Sequence, residues 1–243
     1  MLMLAIDTST ATGGAALTRD GHLVGEVMLS VRAVHSERLM PAVEWLLGAA
    51  GVSVRELDAI CCGVGPGSFT GVRIGVSAAK AMAYALDVPL VGVSTLDALA
   101  AGRAHGSDVE VWSLIDARHG RCYSARYLVR AGGDRPELVS DYAIRTIADL
   151  SIENRWGRCL FVGDGAVSYR DDILRSHGDS AWVAPQALAL LRPVQVAMVG
   201  AAMLAGGIVH SPATLVPHYL KASAPEDKAA GGNAEGQGAE GKA

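Results

Sequence analysis

Residues 2–29 read LMLAIDTSTATGGAALTRDGHLVGEVML, and the way this stretch folds decides the architecture. An apolar run ends at Asp7, a turn-like TSTATGG follows, and Asp20-Gly21 then separates two alternating runs. Asp-Gly between alternating segments marks a two-residue hairpin, so three consecutive antiparallel strands are expected. Helices and strands then alternate. Glu37 to Ala50 carries Leu39, Val43, Leu46 and Leu47 at helical spacing, with Gly51 as a stop and Pro41 expected in the first turn. LDAICCGV (57–64) reads as a short apolar strand suited to burial on both faces. A helix from Val72 to Leu86, the strand PLVGVS and a helix from Thr95 to Gly102 complete the order β-β-β-α-β-α-β-α.

The second half repeats it. EVWSLIDARHGRCYSARYLV (110–129) gives two strands around an ARHGR turn, and ELVSDYAI (137–144) gives a third. A helix near Ile147, the strand RCLFVGD, a helix from Ser168 to Ser176, the strand AWVAP and a helix from Pro193 to Leu204 follow. The topology is duplicated although the two halves share little sequence. Two related subdomains are therefore expected, 1–104 and 105–221. From Ala222 onward no large apolar residue occurs, and residues 222–243 are expected to form a disordered tail.

Composition excludes several classes. With 50% hydrophobic and 19% charged residues and 29 glycines, the 243-residue chain is a globular α/β protein. A net charge of -4 argues against a strong free-standing nucleic-acid binder, which needs a concentrated excess of Lys and Arg. The cysteines at 61, 62, 122 and 159 lack CxxC spacing, so neither a zinc site nor a disulfide framework is expected, and Cys61 and Cys62 read as buried strand residues. MLMLAIDTST turns polar at once and does not read as a signal peptide. The most lipid-like segment, Val196 to Val209, is shorter than the roughly 20 residues a membrane span needs. A cytoplasmic protein without a membrane segment is expected.

Two loops carry candidate chemistry. Asp7 and Ser9 lie where the first strand turns, where a carboxylate and hydroxyls can orient a metal-bound water or bond a phosphate. The same residues equally serve to satisfy the turn's own backbone. GPGSFTGVR (65–73) offers helix N-terminal amides with Gly65, Gly67, Ser68, Thr70 and Arg73, the ingredients of an anion or nucleotide site. It is neither a Walker loop nor a GxSxG elbow, and a tight turn with Ser68 as helix cap explains it as well. Behind it Gly71, Gly75, Ala79 and Ala83 recur every four residues, a shallow stripe on which another helix can pack, inside the chain or between chains. Asp116-Ala117-Arg118 reads as an Asp/Arg pair closing the second hairpin. The seven histidines, His35 among them, never fall at HxxxH spacing, so no protein-built metal site is expected.

Taken in order, LAIDTST, HSERLMP, GVGPGSFTGVRIG, VGVSTLDALA, IDARHGRCYSARY and VPHYLKA resemble the TsaB (YeaZ) family, over about residues 1–221. The resemblance implies an actin-like ATPase (ASKHA, ribonuclease H-like) fold of two related subdomains. It implies a non-catalytic scaffold subunit in making N6-threonylcarbamoyladenosine at adenosine 37 of tRNAs. Such a subunit pairs with the catalytic TsaD, joins the ATPase TsaE, forms a homodimer when alone and meets tRNA only through the complex. The implied interface lies on the helices after HSERL and GPGSFTG, with Leu39, Val43, Leu46, Gly71, Gly75, Ala79, Met82 and Ala83 as its residues. ATP or ADP with Mg at the complex is the cofactor the family allows. An ATP-dependent phosphotransferase or a metallopeptidase of the same fold are the competing readings.

Overall fold

The computed structural model describes residues 1–30, 35–102, 107–133, 135–153 and 156–220. The expected 104/105 boundary, the side chains of His35 and Ser36, and the tail from Ala222 lie outside the described residues.

The opening stretch folds into β1 (Leu2–Asp7), β2 (Gly13–Arg19) and β3 (His22–Leu29), paired antiparallel in sequence. Asp20 and Gly21 both adopt positive φ at the hairpin tip, as a two-residue turn of this hand requires. Next come α1 (His35–Ala49), β4 (Ala59–Gly63), α2 (Phe69–Leu86), β5 (Leu90–Val93) and α3 (Thr95–Ala101). The second half runs β6 (Val109–Asp116), β7 (Arg121–Val129), β8 (Glu137–Leu138), β9 (Ala143–Thr146), β10 (Cys159–Val162), α4 (Asp164–Ser168), α5 (Arg170–His177), β11 (Ala181–Val183), α6 (Gln186–Ala189) and α7 (Pro193–Ala205).

The two sheets have one plan. The first is ordered β3-β2-β1-β4-β5 and the second β8-β7-β6-β10-β11, with β9 also on β7. In each, the first strand pairs antiparallel with the second and parallel with the strand that follows the antiparallel meander, β4 in the first sheet and β10 in the second. The duplicated topology expected from the sequence is present. Asp7 and Asp116 close the matching first strands, so the two carboxylates occupy equivalent places.

Some elements differ from expectation. Pro41 stands inside α1 and not in its first turn, because the helix begins at His35. Pro41 is exposed, so the carbonyl it leaves without a helical partner can be met by water. The third strand of the second half is split into β8 and β9, and the helix expected near Ile147 is a single 3-10 turn, Ile147–Asp149, closed by Thr146 and Asp149. The helix expected from Ser168 begins at Asp164 and breaks at Tyr169.

α1 covers one face of the first sheet through Leu39, Val43, Leu46 and Leu47, and α2 meets Ile60, Cys62 and Leu90 with Val72, Val76, Ala79 and Ala83. α3 and α7 lie in the central core, which takes residues from both sheets. Fully buried Leu96 and Leu99 on α3 contribute about 1.5–3 kcal/mol each there. The strands of the first sheet lie within residues 2–93 and those of the second within 109–183, but the chain's last part crosses back, with α7 packed against β1, β2, β4 and β5. Gln186–Ala205 is long and apolar enough to cross a membrane by length and composition. Leu190 and Arg192 are extended, however, so the stretch is two helices, and the 13-residue α7 reaches only about 20 Å. Its Val196, Ala197 and Val199 are core residues.

Candidate functional site

The first turn and the loop before α2 are stitched together. Asp7 is buried; its Oδ1 accepts the Ser9 amide at 3.0 Å, and the Ser9 hydroxyl reaches both carboxylate oxygens at 3.0 and 2.9 Å. Thr95 Oγ1 donates to Ser9 Oγ at 3.1 Å. A Cβ on Gly63 would overlap Asp7 Oδ2, so β4 needs glycine at this point to admit the carboxylate. Burial pushes the Asp7 carboxyl up to about 7, against the opposing pull of the Ser9 hydrogen bonds.

Ser9 also returns its carbonyl to the glycine loop, accepting the Ser68 amide at 2.7 Å. Thr8 Oγ1 donates to the Gly71 carbonyl at 2.6 Å, and Ser68 Oγ caps α2 by accepting the Gly71 amide. Cβ atoms on Gly67 and Gly71 would overlap the Ser9 and Thr8 carbonyl oxygens. The Ser9 and Thr8 carbonyls therefore lie against the glycine loop, and the first of them takes up the Ser68 amide. Asp7, Ser9, Gly65, Gly67 and Ser68 do come together here, with the Gly65 carbonyl taking the Thr95 amide. Thr70 is exposed, and Arg73 turns away: its Nε donates to the Tyr219 hydroxyl at 2.8 Å and its guanidinium lies 3.8 Å over the Phe69 ring.

The structure sorts the expected interface residues by face. Leu39, Val43, Leu46, Gly71, Gly75, Ala79 and Ala83 are buried within the chain, and Met82 is half-buried. The stripe of small residues thus lets α2 cross closely over Thr8 and the strands beneath. A second row on the same helix, Ser77, Ala81 and Ala85, faces solvent beside Tyr84, which is 81% exposed. α1 adds exposed Met40 and Trp45, the latter at 65%, and a shallow hollow lined by Val27, Leu29, Pro41, Ala42 and Trp45 together with the charged Glu37 and Arg38.

At the second hairpin Asp116 Oδ1 accepts the Arg118 backbone amide at 2.8 Å and the Tyr169 hydroxyl at 3.0 Å. The turn is closed through that amide. Asp164 Oδ1 accepts the Asp116 amide at 3.0 Å, and burial, with Asp116 nearby, raises the Asp164 carboxyl. Among the described residues no group of three His, Cys, Asp or Glu gathers as a metal cluster.

Two features escaped the sequence reading. Asp97 on α3 accepts both the Tyr127 and Tyr142 hydroxyls at 2.7 Å, tying the two halves together. Residues 210–220 form a strap: the His210 amide bonds the Leu90 carbonyl, Lys80 Nζ the Leu215 carbonyl, and the His218 amide the Val64 carbonyl. VPHYLKA falls at the end of this strap, but no periodicity marks such a segment.

Two like-built halves, each with a carboxylate at the end of its first strand, define the actin-like ATPase fold class. The family model described as TsaD, tRNA N6-adenosine threonylcarbamoyltransferase, matches residues 28–157. The tRNA threonylcarbamoyladenosine biosynthesis protein TsaB of Bacillus subtilis is 35% identical over 229 residues, covering 94% of this chain and 97% of that protein. That of Escherichia coli is 42% identical over 129 residues, or 52% of this chain and 55% of its own. The crystal structure of YeaZ from Pseudomonas aeruginosa superposes with a TM-score of 0.77 at 28% identity, over 90% of this chain and 99% of that one. The chain belongs to the TsaB (YeaZ) family of tRNA threonylcarbamoyladenosine biosynthesis proteins.

Proposed function

We propose that the chain is a non-catalytic subunit that docks and activates a TsaD threonylcarbamoyltransferase in the cytoplasm, with TsaE joining the assembly. A second copy takes the same face when TsaD is absent, and tRNA is met only through the complex. The observation that carries this reading is the outer face of α1 and α2, where exposed Met40, Trp45 and Tyr84 flank the small-residue row Ser77, Ala81 and Ala85. Large apolar groups beside a flat row suit helix-on-helix docking. The Ser68 amide of the glycine loop is already bonded within the chain, which supports a scaffold role.

Reconstitution tests it. TsaD, TsaE and threonylcarbamoyl adenylate should form modified tRNA only when this chain is added, and the chain alone should form none. Ala81→Glu, on the exposed row, should leave melting unchanged and weaken TsaD binding roughly 100-fold, about 2.7 kcal/mol. Full activity of TsaD and TsaE without the chain would refute the reading.

A further inference from the structure

His177 ends α5 with its ring turned onto the core of the second half. The ring stacks on that of Phe161, a fully buried residue of β10, with centroids 5.6 Å apart and planes 23° from parallel. Its Nε2 is closed off from solvent and has no hydrogen-bond partner among the described residues. A neutral imidazole needs only to leave a lone pair unmet there. An imidazolium would place an N–H and a net charge at the same point with no acceptor.

The charged groups around it are engaged elsewhere or face solvent. On α5 itself Asp172 pairs with Arg175, Arg170 bonds the Val183 carbonyl, and Asp171 is exposed. Of the elements packed on α5, the turn Ile147–Asp149 holds Asp149 on the Thr146 amide and hydroxyl, α4 holds Asp164 on the Asp116 amide, and the 3-10 turn Gly178–Ser180 leaves Asp179 exposed. β11 carries no charge, and β10 brings only the Cys159 thiol, which burial keeps protonated, with Glu110 beyond it paired to Arg126. Burial is the cause that lowers the His177 pKa below the ordinary 6.5. Stacking pulls the other way, since a ring face attracts a cation, but the lost hydration outweighs it.

We propose that His177 is an acid-sensitive wedge, whose protonation loosens α5 and the turn Gly178–Ser180 from β10 while the first sheet stays folded. A lowered histidine pKa contributes stability that is full above pH 6.5 and is lost as pH falls below it. Asp7 acts in the opposite direction over the same window, so global melting is the wrong readout and a local one is needed.

Hydrogen exchange of the full chain at about pH 7.5 and about pH 5, on either side of the ordinary imidazole value and corrected for intrinsic exchange, decides it. Protection in α5 should fall about fivefold more than in β1 on acidification. His177→Phe keeps a ring on Phe161 and takes up no proton, and His177→Gln is polar but uncharged; in both, the extra fall in α5 should vanish. The ratio between the two pH values is what counts, so a variant that packs less well still gives an answer. An extra fall that persists in both variants, or wild-type α5 and β1 losing protection in step, overturns the proposal. So does a His177 ring that titrates at or above the ordinary imidazole value in NMR of the folded chain.

Discussion

Asp7 keeps an ionisable group where water does not reach, and its carboxyl is displaced from 3.8 to about 7 by that burial. A raised carboxyl favours the protonated folded state, so its contribution to stability is full below pH 3.8 and is lost as pH rises through about 7. Between pH 5 and pH 8 the loss is on the order of 2–3 kcal/mol. Asp7→Asn retains an acceptor for the Ser9 amide and removes the charge. Urea denaturation at the two pH values should show wild type weaker at pH 8 and the variant with most of that difference gone. An undiminished difference would mean that some other group sets the slope. Asp7 was legible in the sequence as a special residue at a turn. Its inward aim was not, because that depends on Gly63, on a strand contributed from far along the chain.

On the scale of elements, α2 shows how a pattern can be read correctly and faced wrongly. Gly71, Gly75, Ala79 and Ala83 form one small row, and Ser77, Ala81 and Ala85 form another on the same helix. Spacing identifies both, yet which one turns inward is fixed by Thr8, whose hydroxyl and carbonyl lie against Gly71 and Gly75. The difference has a thermodynamic signature. Gly71→Ala should cost about 3 kcal/mol, since its Cβ meets a backbone oxygen that cannot swing aside. Ala81→Gly, exposed in the same helix, should cost only about 1 kcal/mol from helix propensity. Equal losses in chemical denaturation would contradict this placement. β8 and β9 were read as one strand for a related reason: Tyr142, between them, leaves the ladder to reach Asp97, a partner no local pattern announces.

Across the whole molecule, the duplication was readable because each half opens with a hairpin whose alternation and turn residues are local. The return of α7 to the first sheet was not, since an apolar helix declares that it is buried without saying against what. Asp97 ties the halves near this junction, and burial together with Asp97 pushes the Tyr127 phenol well up. Asp97→Ala would leave the almost fully buried Tyr127 hydroxyl without its acceptor, at about 1–3 kcal/mol. Hydrogen exchange should then quicken in α3 and β7 ahead of β1 and β2; uniform quickening would show a general loss of stability and no local tie.

All four cysteines are buried and free, and burial raises every thiol, Cys62 and Cys122 to about 12. Thiolate is the reactive species, so the native protein should be nearly silent toward maleimides at neutral pH. A cysteine introduced at Val216 would then be the single labelling handle on the folded chain. A dye or crosslinker placed there would report directly on what approaches that side of the molecule, with no need to strip the natural cysteines first.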